Sequence, residues 1–120
     1  TPKIISKKSS IHKRALIERG SIVFDNVLID FDVKIDQFSI INIGSVVCHH
    51  SVIGENTILS PRSLICGRCN LEKNIFIGSG SVINPKVKIK KNITTGSMTN
   101  VLKNIYKSGT YVGNPSKRIR

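Results

Sequence analysis

Residues 29–65 read IDFDVKIDQFSIINIGSVVCHHSVIGENTILSPRSLI, and in this stretch one class of residue returns every sixth place: Ile29, Ile35, Ile41, Val47, Ile53, Leu59 and Ile65. Four places after each comes a second, smaller class: Val33, Ser39, Ser45, Ser51, Thr57, Ser63 and Cys69. Extended both ways, the register runs from Ile5 to Val101, and Thr95 is its single non-aliphatic position. Only Ile75 and Ile93 are bulky in the small class. A helix of 3.6 residues per turn cannot keep one class inside at every sixth place, and a plain strand alternates with period two without marking every third pair. Short strands joined by tight corners satisfy both demands. The spacing predicts an all-β solenoid whose sides are about six residues long, with coils hydrogen-bonded at about 4.8 Å.

The register predicts a β-helix over residues 1–101, of about five coils, and a tail over 102–120. The stretch 102–110 breaks the register and reads as a loop or short helix before a cap. A chain of 120 residues with no Trp, four Phe and two Tyr is one domain whose core is built from β-branched and small residues. No apolar run approaches the ~20 residues of a membrane span. Thr1-Pro2-Lys3 lacks both Met and the apolar core of a secretory signal, so the expectation is a cytoplasmic protein trimmed from a longer parent. In that compartment the three cysteines read as reduced thiols.

The net charge is +12, and from Lys73 to Arg120 there are ten basic residues and no acidic one. Nucleic acid, a phospholipid surface and a phosphorylated cofactor would each satisfy such a field, as would plain solvent. Single-strand binding usually adds aromatic stacking platforms, and this region offers only Phe76, Tyr106 and Tyr111, so no nucleic-acid partner and no membrane are expected.

The spacing resembles the [LIV]-G-x-x-[STAV]-x hexapeptide of left-handed β-helix proteins, in which three hexads make one triangular turn. Asn42, Val47 and His49, then Val52-Ile53-Gly54, Leu59-Ser60-Pro61, Ile65-Cys66-Gly67, Ile77-Gly78-Ser79-Gly80-Ser81-Val82 and Val112-Gly113-Asn114-Pro115-Ser116-Lys117-Arg118 follow in order. Together they resemble the bacterial sialic acid O-acetyltransferase and UDP-amino-sugar N-acetyltransferase family. The resemblance implies a left-handed coil and a homotrimer with sites between subunits. It also implies acetyl-CoA as cosubstrate and direct transfer to a hydroxyl or amino group of a surface-polysaccharide sugar. Relatives often carry an N-terminal nucleotide-sugar-binding domain.

By that resemblance His49 is the general base, and an imidazole suits the task because its pKa lies near the operating pH. It occupies the third place of its hexad, outside both inward classes, so its ring should project from the wall. The family commonly follows this histidine with an acidic residue, and here His50 stands in its place. Asn42, His50 and Glu55 are candidates for orienting the base or binding substrate, alongside a main-chain carbonyl or a neighbouring subunit. A second family histidine, which contacts the cofactor, is matched by Ile58, so that contact does not carry over.

A turn of three hexads puts Gly67 above His49, where a missing side chain leaves room for a thioester. Gly78, Ser79 and Gly96 are candidates for offering backbone N–H groups to cofactor or thioester oxygens, against the plainer reading of corner glycines as conformational. Gly113, Lys117 and Arg118 fall in a segment resembling the G-N-P-A-K closing motif, where the two cations would meet CoA phosphates.

Cys66-Gly67-Arg68-Cys69 has the C-x-x-C form of a zinc site, but Cys69 belongs to the inward class and Cys66 does not. No metal is expected. A γ-class carbonic anhydrase, which holds zinc with three histidines on the same kind of trimer, is a rival that His12, His49 and His50 suit poorly. A non-catalytic polyanion-binding scaffold is the other.

Overall fold

The computed structural model describes all 120 residues. Seventeen strands of two or three residues, from Ile4–Ile5 to Asn100–Val101, follow one another at six-residue intervals. Each as far as Val82–Ile83 pairs in parallel with the strand eighteen residues on, as in Val46↔Leu64, Ile58↔Phe76 and Asn70↔Lys88. The result is three sheets of eight, six and five strands, parallel but for the final strand of the first, wrapped as the sides of a left-handed triangular β-helix. At three strands per turn there are nearly six coils, where the hexads suggested about five.

The two inward classes have different physical jobs. The large aliphatic positions stack into a single core cluster from Ile17 to Ile105, and Ile35, Ile41, Val47, Ile53 and Leu59 are wholly buried. The small class is mostly hydroxyl because each corner leaves a carbonyl pointing inward. Ser39 Oγ donates to Gly54 O at 3.0 Å, Ser45 Oγ to Ser60 O at 3.0 Å and Ser51 Oγ to Cys66 O at 2.8 Å. The same oxygens accept from the next coil, as when Cys69 N–H donates to Ser51 Oγ at 3.1 Å. No buried side-chain nitrogen or oxygen is left without a partner, as a buried polar column must be to avoid a desolvation penalty. Where Ile75 and Ile93 replace the small residue, the strands lengthen to three residues, Ile75–Ile77 and Ile93–Thr95.

Every corner from Gly20 to Met98 contains one left-handed residue, again at six-residue intervals. Asn26, Asp32, Asn56, Asn74 and Asn92 suit that conformation, whereas Phe38, His50, Arg62, Arg68, Lys86 and Met98 are forced into it. Their N–H groups bond to the coil below, as with His50 N–H to Phe31 O at 3.2 Å and Arg68 N–H to His49 O at 2.9 Å. This offsets a cost of roughly 1–2 kcal/mol per left-handed side chain.

The tail forms no helix: residues 102–108 run as a loop with a single bridge at Ile105, and strand resumes at Gly109. The parallel ladder continues past Val101, with Ile93 opposite Gly109 and Thr95 opposite Tyr111, and Ile89 bridges Ile105. These pairs are sixteen residues apart, so the last coil is two residues short and the six-residue register fails while the solenoid does not. The strand Gly109–Val112 then turns back into Lys117–Arg118 as an antiparallel hairpin. The hairpin covers the open edge of the largest sheet, an edge that would otherwise invite pairing.

Candidate active site

One edge of the triangle collects the titratable chemistry. Its corners stack Lys13-Arg14, Phe31-Asp32, His49-His50, Gly67-Arg68 and Pro85-Lys86, one coil above another. Val47 anchors its strand in the core, so His49, two residues on, is carried outward and half-buried.

Below His49, the Phe31 ring stacks on the imidazole with centroids 5.5 Å apart and planes 13° apart. Above it is Gly67. A Cβ there would lie 2.7 Å from His49 Nε2 and 2.9 Å from Cε1, so the imidazole edge, with Nε2, lies against the Gly67 backbone in the space that a side chain would take. The Gly67 N–H makes no hydrogen bond within the chain.

Beside it, His49 Nδ1 and His50 Nδ1 are 3.0 Å apart with the two rings nearly perpendicular, at 86°. The other nitrogen of His50, Nε2, lies 3.2 Å from Asp32 Oδ2. Arg14 grips the same carboxylate with both arms, Nε to Oδ1 at 3.0 Å and Nη2 to Oδ2. The groups thus run Arg14, Asp32, His50, His49 and end at the Gly67 backbone.

Asp32, Phe31 and Arg14 are the residues that sequence reasoning missed. The signal was the coil length itself: eighteen places before His50 is Asp32, and eighteen before His49 is Phe31. An acidic residue thus stands one coil below position 50, and it meets His50 and not His49.

The other candidates divide. Glu55 belongs to the next corner, where its Oε2 accepts from Gln37 Nε2 at 3.0 Å. Asn42 caps the preceding corner, its Oδ1 accepting from the Ile43 N–H at 2.9 Å. Within one chain neither reaches His49. The N–H groups of Gly78 and Gly96 are committed to Thr95 O and Tyr111 O at 3.0 and 2.9 Å, so neither is free to bind an oxyanion. Both glycines are needed for packing, since a Cβ on Gly78 would meet the Gly96 backbone at 2.4 Å and one on Gly96 would meet Val112 Cγ1 at 2.9 Å. The Ser79 N–H has no such commitment.

Gly113, at φ 97°, lets its carbonyl accept from Asn100 N–H at 2.9 Å and turns the chain into the cap. Lys117 and Arg118 are exposed on the hairpin, and Lys117 lines a cleft with Leu102, Lys103, Pro115 and Ser116. Three coils of the same edge, roughly 14 Å, separate this cleft from His49.

The cysteines flank the site without joining it. Burial, then the neighbouring Cys66 and Asp30, push the Cys48 thiol up, and burial does the same to Cys66. Cys69 is buried and its Sγ donates to Asn84 O at 3.1 Å inside the coil, whereas Cys66 is on the outer side, so the two thiols do not share a ligand position. His12 and His49 lie against the same Phe31 ring, 5.7 and 5.5 Å away. The phenyl group stands between them, which is not an arrangement for one shared ion.

Several solved structures share this fold. The acetyltransferase domain of PglB from Neisseria gonorrhoeae superposes with TM-score 0.96 at 21% identity, over 98% of this chain and 58% of that one. GDP-perosamine N-acetyl transferase from Caulobacter crescentus gives TM-score 0.96 at 26% identity, over 98% of this chain and 56% of that one. WeeI from Acinetobacter baumannii gives 0.91 at 28%, over 95% and 56%. The chain therefore spans a little over half the length of each. No protein-family model and no curated protein sequence matches the chain. The resemblance to hexapeptide-repeat sugar acetyltransferases carried by the motifs is thus also carried by the fold.

Proposed function

We propose that this chain is the catalytic β-helix of an acetyl-CoA-dependent sugar acetyltransferase, with His49 as general base. The observation that carries the reading is that His49, half-buried at an outer corner, lies with Nε2 against the bare backbone of Gly67. An acceptor amine or hydroxyl brought beside Nε2 gives its proton to that nitrogen as its own nitrogen or oxygen attacks the thioester carbon. The carbon–sulfur bond then breaks, and the departing thiolate takes the proton back from the imidazolium. The Gly67 N–H is suited to the thioester oxygen as negative charge develops on it.

The cleft at Lys103 and Lys117 supports the path of the cosubstrate. It offers cations to phosphates, and a pantetheine arm laid along the edge from Lys103 past Pro85 brings the thioester toward His49. Direct transfer is the reading we take, and burial that pushes the adjacent Cys48 thiol up supports it by disfavouring the nucleophilic thiolate.

Two neighbours support the choice of substrates. The PglB domain has been seen in complex with acetyl coenzyme A. The perosamine enzyme has been seen with CoA and GDP-perosamine, also as a histidine-to-alanine variant. We take a nucleotide-linked amino sugar as the first acceptor to test, with hydroxyl acceptors such as sialic acid second.

We further propose a cytoplasmic homotrimer with active sites between subunits. Two outer faces of the solenoid are apolar, one carrying Ile22, Ile40, Ile58 and Phe76 and the other Leu28, Val46, Leu64 and Val82. The third, with Lys34, Asn70 and Lys88, is not.

Calorimetry with acetyl-CoA at two salt concentrations tests the reading. Saturable binding kept by His49→Ala and lost by Gly67→Leu is expected. No binding by the unaltered chain, with the trimer confirmed, would overturn it.

A further inference from the structure

We infer that Asp32 and His50 are positioning residues that select the tautomer of His49, making Nε2 the basic nitrogen. The inference rests on the acetyltransferase reading for its catalytic meaning. Its structural content stands on the contacts alone.

The argument is one of donors and acceptors. An ionised carboxylate only accepts. Both oxygens of Asp32 accept from Arg14, Oδ1 from Nε and Oδ2 from Nη2. His50 Nε2 lies 3.2 Å from its Oδ2, and negative charge that close favours the tautomer of His50 with its proton on Nε2 over the one with a lone pair there. Nε2 of His50 therefore carries the proton.

A neutral imidazole has only one such proton, which leaves His50 Nδ1 as an acceptor. His49 Nδ1, 3.0 Å away, must then be the donor. With its proton on Nδ1, His49 presents a lone pair at Nε2, the nitrogen facing Gly67. Phe31 stacked beneath the ring holds the plane in which this alignment exists.

The arrangement also serves the charged state. When Nε2 accepts the acceptor's proton, the imidazolium keeps its Nδ1–H on His50, and the positive charge is stabilised through His50 by Asp32. A carboxylate next in sequence would have touched His49 directly. Here one from the coil below acts through an intervening imidazole. His50 is suited to this because its left-handed corner conformation, φ 59°, turns its ring across the edge and toward both partners.

Nitrogen-15 spectra of the imidazoles in the full chain, taken at about pH 8.5 where imidazole is neutral, read the tautomers directly. His49 protonated on Nδ1 and His50 on Nε2 are expected. In Asp32→Ala, His49 should shift toward the Nε2–H form that free histidine prefers. In an acetyl-transfer assay, Asp32→Ala and His50→Ala should each lower kcat 10–100-fold and leave the KM for acetyl-CoA unchanged. His50→Asn, which tolerates the corner and presents an acceptor oxygen to His49 Nδ1, should recover most of the loss.

His49 protonated on Nε2 in the unaltered chain, or a tautomer and a kcat indifferent to Asp32→Ala, would overturn the inference. The spectrum is readable whether or not the chain transfers acetyl groups. Correct tautomers without activity would therefore count against the acetyltransferase reading and for the relay.

Discussion

Gly67 lies one coil above His49, and the Cβ it lacks would stand 2.7 Å from His49 Nε2. Its φ is not in the left-handed region, so the backbone accepts a side chain and only the ring objects. Gly67→Ala is therefore expected to fold normally while pushing the His49 ring off its present position. A misplacement of that size costs on the order of 100-fold in rate. The check is kcat/KM for acetyl transfer beside the thermal midpoint: the first should fall by about that factor and the second should move by no more than a few degrees.

The contact between His49 and Gly67 was legible from periodicity, because coil length converts sequence distance into vertical stacking. The same arithmetic places Asp32 beneath His50, but a partner eighteen places away leaves no local mark in the sequence around His50. Glu55 attracted notice for being close in sequence, and a corner of the triangle carries it away. The left-handed corners at Phe38, Arg62 and Met98 had no visible signal, because a glycine advertises such a conformation and a bulky side chain conceals it. The shortened last coil looks in sequence like the end of the solenoid, because two deleted residues erase a six-residue register while the hydrogen-bond ladder runs on.

Two corner glycines separate backbone strain from crowding. Gly44, at φ 72°, has only Arg62 Cγ near its missing Cβ, at 3.3 Å; Gly20, at φ 73°, would drive a Cβ to 2.2 Å from Phe38 Cδ1. Gly44→Ala should cost about 1 kcal/mol from the left-handed conformation alone. Gly20→Ala should cost more, by about 1 kcal/mol for displacing the ring. Urea denaturation of both variants, with Gly20→Ala/Phe38→Ala as the third, measures this. The Phe38→Ala change should erase the excess when compared with Phe38→Ala alone.

Burial pushes the Cys69 thiol up to about 11 from an ordinary value of 9.0. Below pH 9 the thiol is protonated in folded and unfolded chains alike, and its contribution is fully present. As pH rises from about 9 to about 11 the unfolded chain sheds the proton first, so unfolding gains and stability declines. Replacing the thiol by a methyl removes that slope. Denaturation midpoints measured between about pH 8 and about pH 10.5 should fall less steeply in Cys69→Ala than in the unaltered chain, and equal slopes would count against the shifted thiol.

Leu28, Val46, Leu64 and Val82 form an outward apolar column on the strands that lead into the His49 edge. Leu28 is 44% exposed in the single chain, and on the opposite apolar face Phe76 is 41% exposed. Surfaces of this kind, repeated coil after coil, are covered in a stable protein, and a second copy of the same chain presents a matching column. Leu64→Glu places a charge in the middle of one face without touching the core, because its inward neighbour Ile65 carries the packing. Sedimentation should report a trimer for the unaltered chain and a monomer for Leu64→Glu, with the circular dichroism of the β-helix kept. Acetyl transfer should fall with the trimer if a neighbouring subunit completes the site. A monomeric variant with full activity would place the whole site on one chain, and an unaltered chain that sediments as a monomer would refute the assembly itself.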